Sequence, residues 1–424
     1  MTRRNTGACL APLLLLATLG GASVPTGLDM KLLKGVTSNP TNNQVISPFL
    51  MSLLMSQVWL GAEGTTRAEM TPVLGMSGPN DRSFLDGYRS ALAVLSGTSD
   101  GVRASVFSRI YRKRSFSVRR TFSDLLARYY GAGVEVLPSN ALKAAQVINN
   151  QVSVATRGHI KDLVSSADVR NAQLVLLSAV YFKGTWLYGF KKHGQKPFLT
   201  SDGDRRVDMM MVEAEFGTAA RPHFDVVALP YQNQDYSLLV LRPRSRSMAG
   251  VTLMRKSLDG LNVTRLHSQL RQRTVRVVMP SFKIEGLYVM PFYMRSLGIK
   301  RIFQRGANFN GISSDKTFVS NIIHKAVMEV NEEGTTAAAA AMTPVLGISG
   351  PNNRSFLDGY RSALAVLSEN SNGVTTSVFS RIYRTRRYSV RRTFSDLLAH
   401  FYGSGVELLP SDARKAAQVI NNQM

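Results

Sequence analysis

Apolar positions along the chain recur with two different periods, and the changes between those periods divide it into elements. Leu50 to Leu60 is apolar nearly all round, which predicts a buried helix. Ser47 can cap it, Pro48 suits its first turn and Gly61 ends it. A second helix opens at Thr65-Thr66-Arg67-Ala68-Glu69, and a short helical piece around Leu28 to Leu33 looks too brief to anchor much. Phe84 to Leu95 keeps helical spacing, whereas Val102 to Tyr111 alternates as a strand does. Arg119 to Tyr130 reads as a helix stopped by Gly131 and Gly133, and Val134 to Pro138 as a short strand. Ala141 to Val164 is a long amphipathic helix interrupted at Thr156-Arg157-Gly158. Leu174 to Phe182 is apolar on both faces, as a central strand is, and Lys183-Gly184-Thr185 is expected to terminate it.

The middle of the chain is strand-rich: Val207 to Val212, Phe224 to Pro230 and Tyr236 to Pro243 are separated by turn residues. Val251 to Leu270 has helical spacing, Thr274 to Ile284 reads as one strand, and Met290 to Leu297 is a helix ended by Gly298. Helices and strands thus mix without a regular βαβ rhythm, which predicts an α+β fold.

One stretch stands apart. The alternating run Phe318 to Val330 ends at Glu332-Glu333-Gly334-Thr335-Thr336, and then come only alanines, Ala337 to Ala341. Alanine has the best helix propensity, yet an isolated helix shorter than about 12–15 residues is marginal in water. The other reading is a mobile loop able to enter a sheet as an added strand, where small side chains ease its passage between neighbours. Gly334 would then be the pivot, free of the usual φ restriction.

Composition bounds the class without naming it. The 424 residues, 44% of them hydrophobic, suffice for one large domain or two to three ordinary ones. Met1-Thr2-Arg3-Arg4 precedes an apolar run from Leu10 to Leu19 and small residues up to Ser23, the pattern of a secretory leader over residues 1–23, too short to span a bilayer. An extracellular protein is expected. Cys9, the single cysteine, lies inside that leader, so the mature chain needs no disulfide and has no thiol chemistry. A formal charge of +24 favours polyanionic partners, and outside the cell that means a sulfated polysaccharide rather than nucleic acid.

Several ordered motifs resemble the serpin family: Val45-Ile46-Ser47-Pro48-Phe49, Leu60-Gly61-Ala62-Glu63-Gly64-Thr65-Thr66, Val147-Ile148-Asn149-Asn150, Ala179-Val180-Tyr181-Phe182-Lys183-Gly184-Thr185-Trp186, Met279-Pro280-Ser281-Phe282 and His324-Lys325-Ala326. The resemblance implies a three-sheet, eight- to nine-helix α+β domain over residues 24–341. It also implies an inhibitor of extracellular serine proteases whose reactive loop is cleaved and then inserted into the main sheet, with a non-inhibitory or inactive serpin-like protein that binds heparin-like polyanions as the alternative. Glu332, Glu333, Gly334, Thr335, Thr336, Ala337, Ala338, Ala339 and Ala340 match the inhibitory hinge residue by residue. Counting forward from Gly334 places the scissile bond near Ile348-Ser349. The sheet-opening region carries over to Ser47, Pro48, Ser178, Trp186 and His324. Leu50 and Ser178 depart from the family's usual serine and asparagine, and the first helix is shortened.

At Met342 the resemblance stops. Residues 342–424 duplicate segment 70–152 with about sixteen differences, in place of the strands with which the family ends. The fold is therefore expected to be incomplete at its C-terminus. A fusion of two tandem relatives, in the gene or in its model, is preferred over a chain that pairs with another and over a degenerate copy.

Rival chemistries find little support. No His-Glu-x-x-His motif occurs, and the one Gly-x-Ser-x-Gly, Gly97 to Gly101, leads into a strand rather than the helix a nucleophile elbow needs, so enzymatic activity, a metal and a cofactor are not expected. A heparin-like glycosaminoglycan is the one auxiliary ligand the sequence suggests, through Arg109, Arg112, Lys113, Arg114, Arg119 and Arg120. A second basic group runs through Arg242, Arg244, Arg246, Arg271, Arg273 and Arg276. Asn262 and Asn353 begin acceptor tripeptides for N-glycosylation.

Overall fold

A computed structural model describes residues 28–36, 43–78, 82–200, 203–258, 261–347, 382–384 and 406–408. In chain order the first elements are helices α1 (Asp29–Val36), α2 (Pro48–Gly61), α3 (Gly64–Leu74) and α4 (Ser83–Val94). Strands β1 (Gly97–Ser99) and β2 (Val102–Arg112), helix α5 (Arg120–Tyr130), strand β3 (Gly133–Val136) and helices α6 (Ala141–Ala155) and α7 (Ser166–Val169) follow. Next come β4 (Ala172–Thr185), β5 (Lys191–Thr200), β6 (Gly203–Ala220), β7 (Phe224–Pro230) and β8 (Ser237–Pro243), then helices α8 (Met248–Lys256) and α9 (Val263–Ser268). The remaining elements are β9 (Arg271–Pro280), β10 (Phe282–Val289), α10 (Pro291–Ser296), β11 (Thr317–Val319), β12 (Ile323–Val330), β13 (Gly334–Gly347), β14 (Ile382–Arg384) and β15 (Val406–Leu408). The fold is mixed α+β, as its lack of βαβ rhythm predicts.

The main sheet has the order β1-β2-β4-β13-β12-β10, with β3 on β2 and β11 on β13. Its two faces are covered differently. One face joins α2, α4 and α5 in a core that includes Leu53, Trp59, Tyr88 and Phe122. The other packs Ile148 and Val152 of α6 against Leu177 and Tyr181 of β4. β4 is accordingly buried on both faces, which is why it reads as a continuous apolar run. The second sheet has the order β5-β6-β7-β8 with β9 on β6, and Phe182, Trp186, Phe216, Tyr231 and Leu238 share the core between the sheets.

Helix α2 begins as expected. Ser47 accepts a hydrogen bond from the Leu50 N–H at 3.3 Å and Pro48 occupies the first turn. Five expectations need correction. The helix from Ala141 ends at Ala155 and does not resume before Val164. Strand β4 does not stop at Phe182 but runs through Lys183-Gly184 to Thr185, because β2 and β13 both continue pairing there. The run from Thr274 to Ile284 is two strands: Pro280, lacking an N–H, ends β9 in the second sheet, and β10 starts after Ser281 in the main one. The helical spacing of Val251 to Leu270 is broken too, since α8 ends at Lys256 and Asn262 caps a separate α9. Finally, α1 is a firm anchor: Leu28, Leu32 and Val36 are buried, and the Asp29 carboxylate accepts a 2.5 Å hydrogen bond from Ser52 of α2.

Most of 342–424, and with it the expected incompleteness of the C-terminus, lies outside the described residues, as does the leader expected over residues 1–23. The two described fragments of the repeat are informative. Ile382, Tyr383 and Arg384 pair in parallel with Val406, Glu407 and Leu408, the register in which Ile110, Tyr111 and Arg112 pair with Val134, Glu135 and Val136. Among the described residues no helix is long and apolar enough to cross a membrane.

Candidate functional site

The alanine-rich stretch is neither a helix nor a free loop: it is the strand β13, in the middle of the main sheet. It lies antiparallel to β4 from Gly334 opposite Thr185 to Leu346 opposite Ala172, and antiparallel to β12 from Thr335 opposite Val330 to Met342 opposite Ile323. Propensity loses here because both edges of the strand are hydrogen-bonded and both faces are buried. Ala339 and Ala341 face the α2 core, whereas Ala338, Ala340 and Met342 face the α6 core. Small side chains let both helices lie close to the sheet.

Gly334 does not serve as a positive-φ pivot; its φ is not in the left-handed region. Its requirement is space. A Cβ placed there would collide with the carbonyl of Gly184, which is backbone and cannot turn aside. The turn before it is held by a residue that the sequence reading missed. Asn331 accepts hydrogen bonds from the N–H groups of Glu333 (3.0 Å) and Gly334 (3.1 Å) through its side-chain oxygen. Asn three positions before Gly is a turn signal that could have marked it. Glu332 and Glu333 contribute backbone carbonyls, which accept from Phe190 at 3.0 Å and Trp186 at 2.9 Å. The Trp186 indole donates to the Asn331 carbonyl at 2.9 Å and stacks on Tyr231 with centroids 4.7 Å apart.

Farther along the strand, three of the five sheet-opening candidates, Ser47, Pro48 and His324, come together at the start of α2. The Ser47 N–H donates to Nε2 of His324 at 3.0 Å, and Pro48 follows directly. His324 is fully buried, its ring stacked on Tyr288, and burial pulls its imidazole down to about 4. With Nε2 accepting, the neutral ring carries its proton on Nδ1. Ser178 stands in the same row, since Ser108 pairs with Ser178, Ser178 with Ala341, and Ala341 with His324. Its hydroxyl lies 3.1 Å from that of Ser108, and Gln57 of α2 donates to both at 3.4 Å. Gln57 and Ser108 also escaped the sequence reading, because each looks like an ordinary polar residue until the strands align. Trp186, the fifth candidate, is eight residues along β4 from Ser178, roughly 26 Å away.

The basic candidates are only partly gathered. Arg112, Lys113, Arg114, Arg119 and Arg120 lie at or near the connection from β2 to α5, while Arg109 turns toward Glu135 on β3 at 3.4 Å. Much of this charge has local work. Arg112 donates to the carbonyls of Arg114 and Phe116 at 3.1 Å, Arg119 donates to the Asn310 carbonyl at 2.5 Å, and Arg120 pairs with Asp124 at 3.8 Å. Of the second group, Arg242 and Arg244 share Asp225, whose carboxyl they hold below its usual range against the opposing effect of burial. Arg242, Arg271, Arg273 and Arg276 border a cavity of about 1000 Å³ floored by Val226, Val240 and Val277. Asn262 is exposed, and its side-chain oxygen caps α9 by accepting from the Arg265 N–H at 2.9 Å. Ile348, Ser349 and Asn353 lie outside the described residues. Among the described residues no group of three or more His, Cys, Asp or Glu side chains could hold a metal ion.

Comparison with known proteins joins these features. A family model described as "Serpin (serine protease inhibitor)" matches residues 25–356. Iripin-2 of Ixodes ricinus is 33% identical over 319 residues, covering 73% of this chain and 80% of that protein. Serpin B6 of Macaca fascicularis is 30% identical over 324 residues, covering 73% and 85%. Among solved structures, "Cleaved Serpin 42Da" superposes with a TM-score of 0.71 at 28% identity over 78% of this chain and 89% of the other. Emu ovalbumin gives a TM-score of 0.71 at 25% identity over 79% and 92%.

Proposed function

We propose, from the premise that the chain belongs to the serpin family, that it is a secreted inhibitor of extracellular serine-type endopeptidases rather than an enzyme. In this reading the target protease attacks the loop beyond Gly347, and its serine displaces the new amino terminus to form an acyl ester. The segment from Gly334 to Gly347 then enters the main sheet and carries the acylated protease with it. A heparin-like polysaccharide serves as an auxiliary ligand at the basic connection between β2 and α5.

The observation that carries the proposal is the seat of β13 between β4 and β12. A strand with two hydrogen-bonded edges gains about 0.5–1.5 kcal/mol net per bond, and over a dozen residues that outweighs alanine's weak strand preference. The count forward from Gly334 supports a scissile bond near Ile348-Ser349. The leader supports secretion.

The test is incubation of the purified chain with trypsin-, chymotrypsin- and elastase-like proteases. A detergent-resistant covalent complex with one of them is expected. Cleavage of the loop by all three without any complex would reduce the chain to a substrate.

A further inference from the structure

A proline within a sheet removes a ladder donor and is normally confined to edges, strand starts and bulges. Pro344 is at no edge or strand start, for β13 has β4 along one side and β12 and β11 along the other, and the register shift against β4 falls beyond it, between Val345 and Leu346. The registers explain how it fits. β12 pairs with Thr335 to Met342 and β11 with Val345 to Gly347, so Thr343 and Pro344 fall where the chain has left β11 and not yet entered β12. The Pro344 carbonyl accepts from the Ser320 N–H at 3.0 Å and the Ser320 hydroxyl at 3.2 Å. Because N and C=O of one strand residue point to the same edge, the ring nitrogen also faces this break. The ladder to β4 loses nothing, since Thr343 and Val345 turn their backbone groups that way.

No other nearby register is as tolerant. A slide of one residue would reverse every face of β13 and bring the ring nitrogen onto the β4 ladder. A slide of two keeps the faces but sets the ring opposite Ile323 of β12, where Met342 now lies, or opposite Phe318 of β11, where Leu346 now lies. Either costs a ladder hydrogen bond, at the last rung of β12 or at the middle rung of β11.

We propose that Pro344 is a positioning residue that sets the register of the inserted loop, admitting it to this depth and no other. The idea rests on β13 being the inserted reactive loop. It also explains why a strand of near-identical alanines, which by itself offers little to distinguish one register from the next, takes a single alignment.

Disulfide trapping in the full chain, with Cys9 replaced by serine, tests the proposal before and after digestion by an elastase-type protease. Ala340 faces Ala179 across the β4 ladder, whereas Ala338 faces Tyr181. The pair Ala340→Cys with Ala179→Cys reports the observed register. The pair Ala338→Cys with Ala179→Cys reports a two-residue slide, because diagonal neighbours about 7–8 Å apart exceed disulfide reach. With Pro344 present, only the first pair is expected to cross-link; with Pro344→Ala, both pairs should. Moving the proline by one place, in Thr343→Pro with Pro344→Ala, should abolish the first cross-link. If Pro344→Ala still traps only the first pair, the register is set elsewhere and the proposal falls while insertion stands. If neither pair cross-links in any background, the loop is not in the sheet and the functional reading itself fails.

Discussion

Ser178 on β4 and His324 on β12 stand in one row of the main sheet with only the methyl group of Ala341 between them. β13 therefore lies between two polar groups of the same row. Each keeps partners of its own: Ser178 has Ser108 and Gln57, and His324 has the Ser47 backbone. Replacing Ser178 by alanine removes one of the two acceptors that the Gln57 amide uses. A loss of about 1–2 kcal/mol is expected in denaturant unfolding, and Ser178→Asn tests whether a longer amide can stay in this row.

Gly334 meets the carbonyl of Gly184 at the start of β13. Gly334→Ala forces one backbone away from the other at the first rung, a distortion of about 1–3 kcal/mol by analogy with overpacked cores. The variant should show a smaller rise in melting temperature after loop cleavage than the wild type. Its uncleaved loop should remain as sensitive to proteolysis as before.

Two buried groups near α2 give opposing pH dependences. Burial raises the Asp29 carboxyl to about 6, with the Ser52 hydrogen bond lowering it only in part. A raised acid favours the folded state below its unfolded value, from 3.8, and that contribution is lost as pH climbs through 6. Asp29→Asn should therefore stabilise the protein at neutral pH by about 3 kcal/mol. His324 acts the other way. Its imidazole is depressed from 6.5 to about 4, so its contribution is present above 6.5 and lost as pH falls toward 4.

The wild type should consequently have a flatter stability profile between pH 4 and 6 than either single variant. Urea unfolding across that range is expected to show Asp29→Asn losing stability on acidification and His324→Gln losing it on the way up. Parallel profiles for the three proteins would mean that neither group titrates in its buried setting.

The basic connection after β2 separates structural from available charge. Arg112 braces the turn by donating to backbone carbonyls, and Arg112→Ala should cost about 1 kcal/mol of stability. Lys113 and Arg114 are exposed on the same turn. Replacing them together with Arg120 should lower the salt concentration at which the chain leaves a heparin column and leave its melting temperature unchanged. An unaltered elution point would move the polyanion site elsewhere, with the arginines around Asp225 next to be substituted.

Much of the scaffold could be read from the chain itself. The apolar run from Leu50 to Leu60 with Ser47 and Pro48 before it defines α2, and the alternation from Val102 to Tyr111 defines β2, because local periodicity and caps suffice there. The hinge was legible as a stretch of small residues after two carboxylates. Its Asn331 latch carries a local signal too, an Asn three places before Gly, whereas the partnership of Ser178 with Gln57 and Ser108 was not legible, since those residues are far apart in sequence and meet only when the strands align.

The duplicated hexapeptide marks the limit of local sequence. Met70-Thr71-Pro72-Val73-Leu74-Gly75 ends helix α3, with Gly75 in the left-handed conformation that caps it, and the same six residues, Met342 to Gly347, end strand β13. Local sequence showed which faces were apolar and where caps such as Ser47 could begin an element. Whether those six residues became helix or strand was decided by what lay beside them. Met70 and Leu74 in α3 pack into a helical core, whereas Met342 to Leu346 lie along β4, whose backbone groups an added strand can satisfy.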